Sequence, residues 1–232
     1  MTQLVWDEIG ERLYETGVSK CVLYLQEDGK YPKGVAWNGI TGFTESPSGA
    51  EATDLYADNI KYATLRSEET FGATLEAYMS PDEWALCDGS AELAKGVKIG
   101  QQSRRSFGLS YVTEVGSDTS TELGYKIHLI YGATASPSER AYSTKNESPE
   151  AITFSWEIST TPVSVKDMKP TSCITISSLE ISEKALKAIE DAIYGTDEKE
   201  ATLPLPDELM EIIKTADAEG LSAKGPSILT KN

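Results

Sequence analysis

Basic residues are scarce in this chain. Its 232 residues hold 21 lysines and arginines against 37 aspartates and glutamates, a formal charge of −16. A surface that grips DNA or an anionic membrane needs the opposite sign, so this balance argues for solubility and repulsion from polyanions. Only three cysteines occur, Cys21, Cys87 and Cys173, far apart and without a CxxC pair. That argues against a zinc site or a disulfide framework and fits a reducing compartment at synthesis. Residues 1–30 lack the basic start and continuous apolar run of a signal peptide. No stretch approaches the roughly 18 apolar residues of a membrane span.

Catalytic patterns are also missing. The single histidine, His128, has no HExxH context, and no GxSxG flags a nucleophile. Its place mid-strand on the more polar face predicts a side chain turned to solvent or to an interface. Asp54 and Asp58 fit a capped turn or contact loop better than a cation site, because no calcium-loop spacing surrounds them. The expectation is a chain without catalysis, cofactor or metal.

What is present is alternation. In Ala151–Thr160, the apolar Ile152, Phe154, Trp156 and Ile158 alternate with Thr153, Ser155, Glu157 and Ser159. Gly124–Tyr131 sets Tyr125, Ile127, Leu129 and Tyr131 against Lys126, His128 and Ile130. Arg104–Val115 sets Phe107, Leu109, Tyr111 and Val115 against Ser106, Gly108, Ser110 and Glu114. A period of two predicts three antiparallel strands with one apolar and one polar face.

Around these strands, residues 1–17 read as an N-terminal arm, either a helix face (Val5, Ile9, Leu13) or an extended lead into a strand at Val18–Gln26. Residues 32–62 are irregular, rich in Gly and Pro, with Trp37, Phe43, Tyr56 and Tyr62 interspersed. Such a length suggests a functional excursion, the alternative being an internal β-meander. Thr70–Met79 predicts a strand, and Ser80-Pro81-Asp82-Glu83 a capping box opening a short helix at Trp84–Cys87. Gly116–Leu123 predicts an acidic hairpin tip, and Ala135–Pro149 a second polar connection. Cys173–Leu179 predicts a further strand. Ser182 caps a helix over Glu183–Tyr194, closed by Gly195. A charged linker and a helix at Asp207–Thr215 follow, then a flexible or docking tail from Ala218 to Asn232. The predicted organisation is an arm (1–17), a β domain (18–195) and a helical or flexible extension (196–232).

With no chemistry in view, surface contact is the remaining function, because aromatic side chains anchor interface cores. The candidate contact residues of the excursion are Trp37, Phe43, Glu45, Asp54 and Tyr56. Asp118 and Glu122 are the acidic residues of the hairpin tip. A monomeric β-sandwich binding module would instead use Trp37 and Tyr56 as a platform for carbohydrate or receptor.

Several phrases carry a resemblance. They are Trp6-Asp7 with Gly10-Glu11-Arg12, Gly34-Val-Ala-Trp-Asn-Gly39, Glu45-Ser-Pro-Ser-Gly-Ala-Glu51, and Leu55-Tyr-Ala-Asp-Asn-Ile-Lys-Tyr62. Further along come Phe71-Gly-Ala-Thr-Leu-Glu-Ala-Tyr78, Pro81-Asp-Glu-Trp84, Phe107-Gly-Leu-Ser-Tyr111, Tyr125-Lys-Ile-His128 and Phe154-Ser-Trp-Glu157. Together, over about residues 4–165, the chain resembles the major tail (tail tube) proteins of long-tailed non-contractile bacteriophages. The resemblance implies a mainly β fold, an antiparallel sandwich or barrel of tail-tube type with a flanking helix and long inter-strand loops. It also implies a virion protein made in the host bacterial cytoplasm. Its copies would form hexameric rings stacked into a tube that passes double-stranded DNA without reading its sequence, with the excursion as the contact between rings and Asp118 and Glu122 near the lumen or a ring face. The implied partners are the chain itself, a tape-measure protein and tail-end proteins.

Overall fold

The computed structural model describes residues 4–144 and 151–222. The end of the second polar connection (145–150) and the last part of the expected tail (223–232) lie outside the described residues. The chain is mainly β with two helices. In order, the strands are β1 (Leu13–Leu25), β2 (Gly34–Trp37), β3 (Ile40–Glu45), β4 (Ser48–Gly49), β5 (Ala52–Ala57), β6 (Ile60–Arg66), β7 (Glu69–Thr70) and β8 (Gly72–Ala77). After a 3₁₀ turn at Asp82–Leu86 come β9 (Ala91–Ala94), β10 (Val97–Ile99), β11 (Phe107–Ser117), β12 (Gly124–Ala135), β13 (Phe154–Thr160) and β14 (Cys173–Ser177). The helices α1 (Glu183–Tyr194) and α2 (Pro206–Ser222) close the order.

The main sheet runs β2-β1-β11-β12-β13-β8-β3, with β14 also paired to β12, and every recorded pairing is antiparallel. The three strands expected from alternation, now β11, β12 and β13, are indeed neighbours. The sheet curls so that β8, β13 and β3 face β1 and β11 across an apolar core containing Leu23, Leu75, Phe107, Leu109 and Ile158. At its centre, Trp84 lies 4.7 Å from Trp37, 5.5 Å from Trp156 and 4.9 Å from Phe107 by ring centroid. Burying one such ring removes about 150–250 Å² from water, on the order of 5 kcal/mol before conformational entropy is charged against it.

The expectation of one apolar and one polar face is corrected here. Both faces of β11, β12 and the second half of β1 (Cys21–Tyr24) are largely covered. Phe107, Leu109 and Tyr111 enter the sandwich core, but Ile127, Leu129 and Tyr131 point the other way, onto Ile189, Ile193, Leu203 and Leu209 of the helical layer. The small residues of β11 that read as a wet face are a seat for that layer. A Cβ on Gly108 would stand 2.4 Å from Leu203 Cδ2. Ser110 is buried, its hydroxyl 3.1 Å from that of Tyr24, which donates to Ile193 O.

On the side away from β11, β12 serves two partners. Its residues Lys126–Ile130 pair with β14, and Ala133–Ala135 pair with β13. The changeover is a bulge at Tyr131-Gly132, where Gly132 takes φ 59° and the register to β11 shifts.

The N-terminal arm does not form the helix that Val5, Ile9 and Leu13 allowed. β1 begins at Leu13 and pairs from there with Ser117 at the far end of β11. The expected capping box also fails. Pro81 occupies the N-cap position with no side-chain hydrogen bond, and only a 3₁₀ turn follows, pinned by the fully buried Trp84. Ser182 does cap α1, accepting from Ala185 N at 3.2 Å. Beyond Gly195 the chain runs back over the sheet. Gly34 N donates to Ala201 O, Leu203 N to Tyr31 O and Tyr131 Oη to Pro204 O, and Leu203 and Leu209 are buried. The expected boundary at 195/196 therefore separates elements that share one core.

Candidate functional site

The irregular excursion is a β-hairpin. β3 pairs with β8, β4 with β7, and β5 with β6, so Ile40–Ala77 forms one long ribbon closed at Asp58-Asn59. Both turn residues have positive φ, 51° and 61°, the geometry of a type I′ turn. That two-residue turn between paired Ala57 and Ile60 is the signal in the sequence that marks the hairpin.

The inner part of the ribbon belongs to the sandwich, while the outer part, 48–70, carries no buried side chain. At about 3.3 Å per residue the outer part reaches roughly 30 Å beyond the body. It nevertheless displays Leu55, Tyr56, Ile60, Tyr62 and Leu65, with Tyr56 and Tyr62 exposed to 70% and 75%. An isolated two-stranded ribbon is marginally stable in water. Here Asp54 accepts from Lys61 Nζ and Thr64 Oγ1, each at 2.7 Å, and these partners hold its carboxyl below the usual range.

The five candidate contact residues separate accordingly. Asp54 and Tyr56 lie on the exposed arm. Trp37 does not: it is only 3% exposed, its Nε1 donates to Met79 O, and it packs on Trp84 and Trp156. Phe43 is half-buried against Tyr111, at 4.2 Å. Glu45 accepts a 2.5 Å hydrogen bond from Tyr111 Oη at the root of the arm. These three belong to the body; Phe43 and Glu45 anchor the root of the arm, which presents other residues. Trp37 and Tyr56 cannot form one sugar platform either.

The arm's root sits over a polar cluster that sequence reasoning missed. His128 is 8% exposed, not turned to solvent, and its ring stacks on Tyr111 at 4.6 Å with a 5° interplanar angle. Its Nε2 lies 2.9 Å from Thr113 Oγ1 and its Nδ1 3.3 Å from Thr175 Oγ1. Glu15 approaches Nε2 to 3.5 Å and Glu45 approaches Nδ1 to 3.8 Å, while Lys126 bonds Glu15. The cluster thus joins β1, β3, β11, β12 and β14. Burial pushes His128 below 6.5, an effect partly opposed by the carboxylates of Glu45 and Glu15. Bonds from Lys126 and Thr113 hold Glu15 below its ordinary value.

The sign of the pH effect follows. A histidine with a depressed folded pKa binds fewer protons folded than unfolded below pH 6.5, so stability falls as pH drops through that value. Glu15 acts at lower pH in the same direction, because its contribution is lost as it protonates. The urea midpoint is expected to be lower at pH 5.5 than at pH 7.5, and His128→Gln should flatten that difference. An unchanged slope in the variant would remove His128 from this account.

Asp118 is not free. Its Oδ1 accepts from Gly10 N at 2.9 Å, tying the N-terminal segment to the acidic hairpin. Glu122 on the same hairpin is exposed. Among the described residues no cluster of His, Cys, Asp and Glu has metal-binding geometry, and no helix is long and apolar enough to cross a membrane.

No family model matches this sequence, and no curated protein matches it. Seven chains of solved structures do. One belongs to the cryo-EM structure of an extracellular contractile injection system, the PVC sheath–tube complex in its extended state. It is 12% identical, with 68% of this chain and 88% of that chain covered and a TM-score of 0.29.

Proposed function

We propose that this chain is a structural subunit that assembles with copies of itself into rings stacked as a tube, of the kind that forms a phage tail. The observation that carries the reading is the outer hairpin arm, a roughly 30 Å ribbon exposing Tyr56, Ile60 and Tyr62 with no described part of its own chain behind it. Exposed apolar area on a projecting ribbon is costly unless a partner covers it. The sequence resemblance to tail tube proteins supports six copies per ring, stacking through the arm, and a tape-measure protein and tail-end proteins as further partners. The acidity supports a wall that lets double-stranded DNA slide, because a duplex carries about one negative charge per 1.7 Å of axis. On this reading the chain turns over no substrate, and its place is the virion.

Negative-stain electron microscopy over a concentration series tests it. Rings or hollow tubes appearing with concentration are the expected result. Uniform small particles at every concentration, including in the presence of co-expressed neighbouring tail proteins, would overturn it.

A further inference from the structure

A second surface faces the opposite problem, an open strand edge beside an apolar groove. β2 pairs with β1 on one side, with Cys21 opposite Trp37, Val22 opposite Ala36 and Tyr24 opposite Gly34. On its outer side Gly34 N donates to Ala201 O at 2.7 Å. Residues two apart turn their backbone groups the same way. The N–H and C=O of Ala36 therefore also point away from β1, and among the described residues no backbone group meets them. They open into a groove of about 630 Å³ lined by Val18, Val22, Ala36, Ile40 and Tyr194. Lys20 stands in its wall, 5.7 Å from the Tyr194 ring centroid.

The N-terminal segment has the complementary surplus. Leu4, Val5, Trp6 and Ile9 are all exposed, Trp6 to 75% and Ile9 to 83%. The segment ahead of β1 is fixed to its own body by Gly10 N on Asp118, with Arg12 donating to Asp7 O. It also carries Asp7, Glu8 and Glu11, the charge opposite to Lys20.

We infer that residues 4–9 of one copy lie in the β2 groove of the next. There Leu4–Trp6, ahead of the left-handed Asp7 (φ 60°), run extended along the free edge at Ala36, and Trp6 or Ile9 packs against Val22, Ile40 and Tyr194. Main-chain bonds from the edge give the affinity of such an addition, and the side-chain pockets give its register. The contact is head to tail, so it propagates around a ring without self-complementary patches. It rests on the self-assembly reading, but uses a different surface from the hairpin arm.

Two full-length variants test it. Glu8→Cys and Ala36→Cys chains, mixed in equal amounts under assembling conditions and mildly oxidised, should give a disulfide between positions 8 and 36, identified by peptide mass spectrometry. The native thiols compete poorly, since burial pushes Cys21 and Cys87 up to about 12 and Cys173 up to about 11. Separately, Trp6→Ala should raise the protein concentration for half-assembly at least tenfold while leaving the thermal midpoint unchanged, because Trp6 touches no core. Assembly that proceeds normally in Trp6→Ala, with no 8–36 crosslink in the mixture, overturns the groove assignment and leaves self-assembly standing. A wild-type chain that stays monomeric at every concentration overturns both.

Discussion

Replacing residues 50–68 by an Asn-Gly turn is expected to stop tube growth and leave the body folded. Gly49 and Glu69 are directly paired, so a two-residue type I′ turn can close the ribbon there once Gly49 leaves its positive φ of 89°, a change open to glycine. The removed segment contains no buried side chain, and the root of the arm, held by Phe43 and Glu45 on Tyr111, remains. The thermal midpoint should therefore move by no more than about 4 °C, equivalent to about 1 kcal/mol in a chain of this size. Sedimentation should then show monomers or single rings at concentrations where the parent chain forms long particles. The double variant Tyr56→Ser, Tyr62→Ser should weaken growth in the same direction, at least tenfold in concentration. Tubes of normal length from the shortened chain would sink the role given to the arm.

The largest stability effect is expected at Gly132. Its φ of 59° disfavours any side chain, and a Cβ there would lie 2.1 Å from Thr161 O. The obstacle is backbone, not the end of a flexible side chain, and Thr161 N donates to Gly132 O in the same turn. Gly132→Ala must therefore shift the point where β12 passes from β14 to β13. We expect a loss of about 3 kcal/mol or more, the left-handed strain of roughly 1–2 kcal/mol plus displacement of a paired strand. Gly96, with φ 80° and no atom within 4 Å of where a Cβ would stand, is the control. Gly96→Ala should cost only about 1 kcal/mol. Equal losses at the two positions, read from urea midpoints, would mean that the crossover tolerates movement.

Much of the sheet was legible in the sequence because alternation is local. Trp156 and Ile158 fell on the core side as their period required, and the Ser182 cap and Gly195 stop bounded α1 to the residue. What was not legible is what stands opposite each strand. Gly108 and Ser110 read as a polar face, yet they are small because Leu203 and Tyr24 press on them from elements about 90 residues away on either side of them in sequence. Trp37 and Tyr56 looked alike as aromatics in an irregular stretch. One is a core residue and the other is exposed, and only the pairing of β2 with β1 separates them. His128 was misplaced for the same reason: it shares its strand face with the charged Lys126, while its cover comes from Tyr111 and the root of the arm.

The contrast between a sheet covered on both faces and a ribbon covered on neither has a consequence for exchange with solvent. Amides of β11 and β12 can swap their protons for deuterium only when the helices and the sandwich separate, which requires nearly the whole fold to open. Those of β5 and β6 need only the ribbon to part. Bound between neighbours, the ribbon loses that freedom, and its ordering cost falls on the first copies to meet and less on those that follow. Growth would then begin slowly and continue readily from an existing end, with a lag that shortens when preformed ends are supplied.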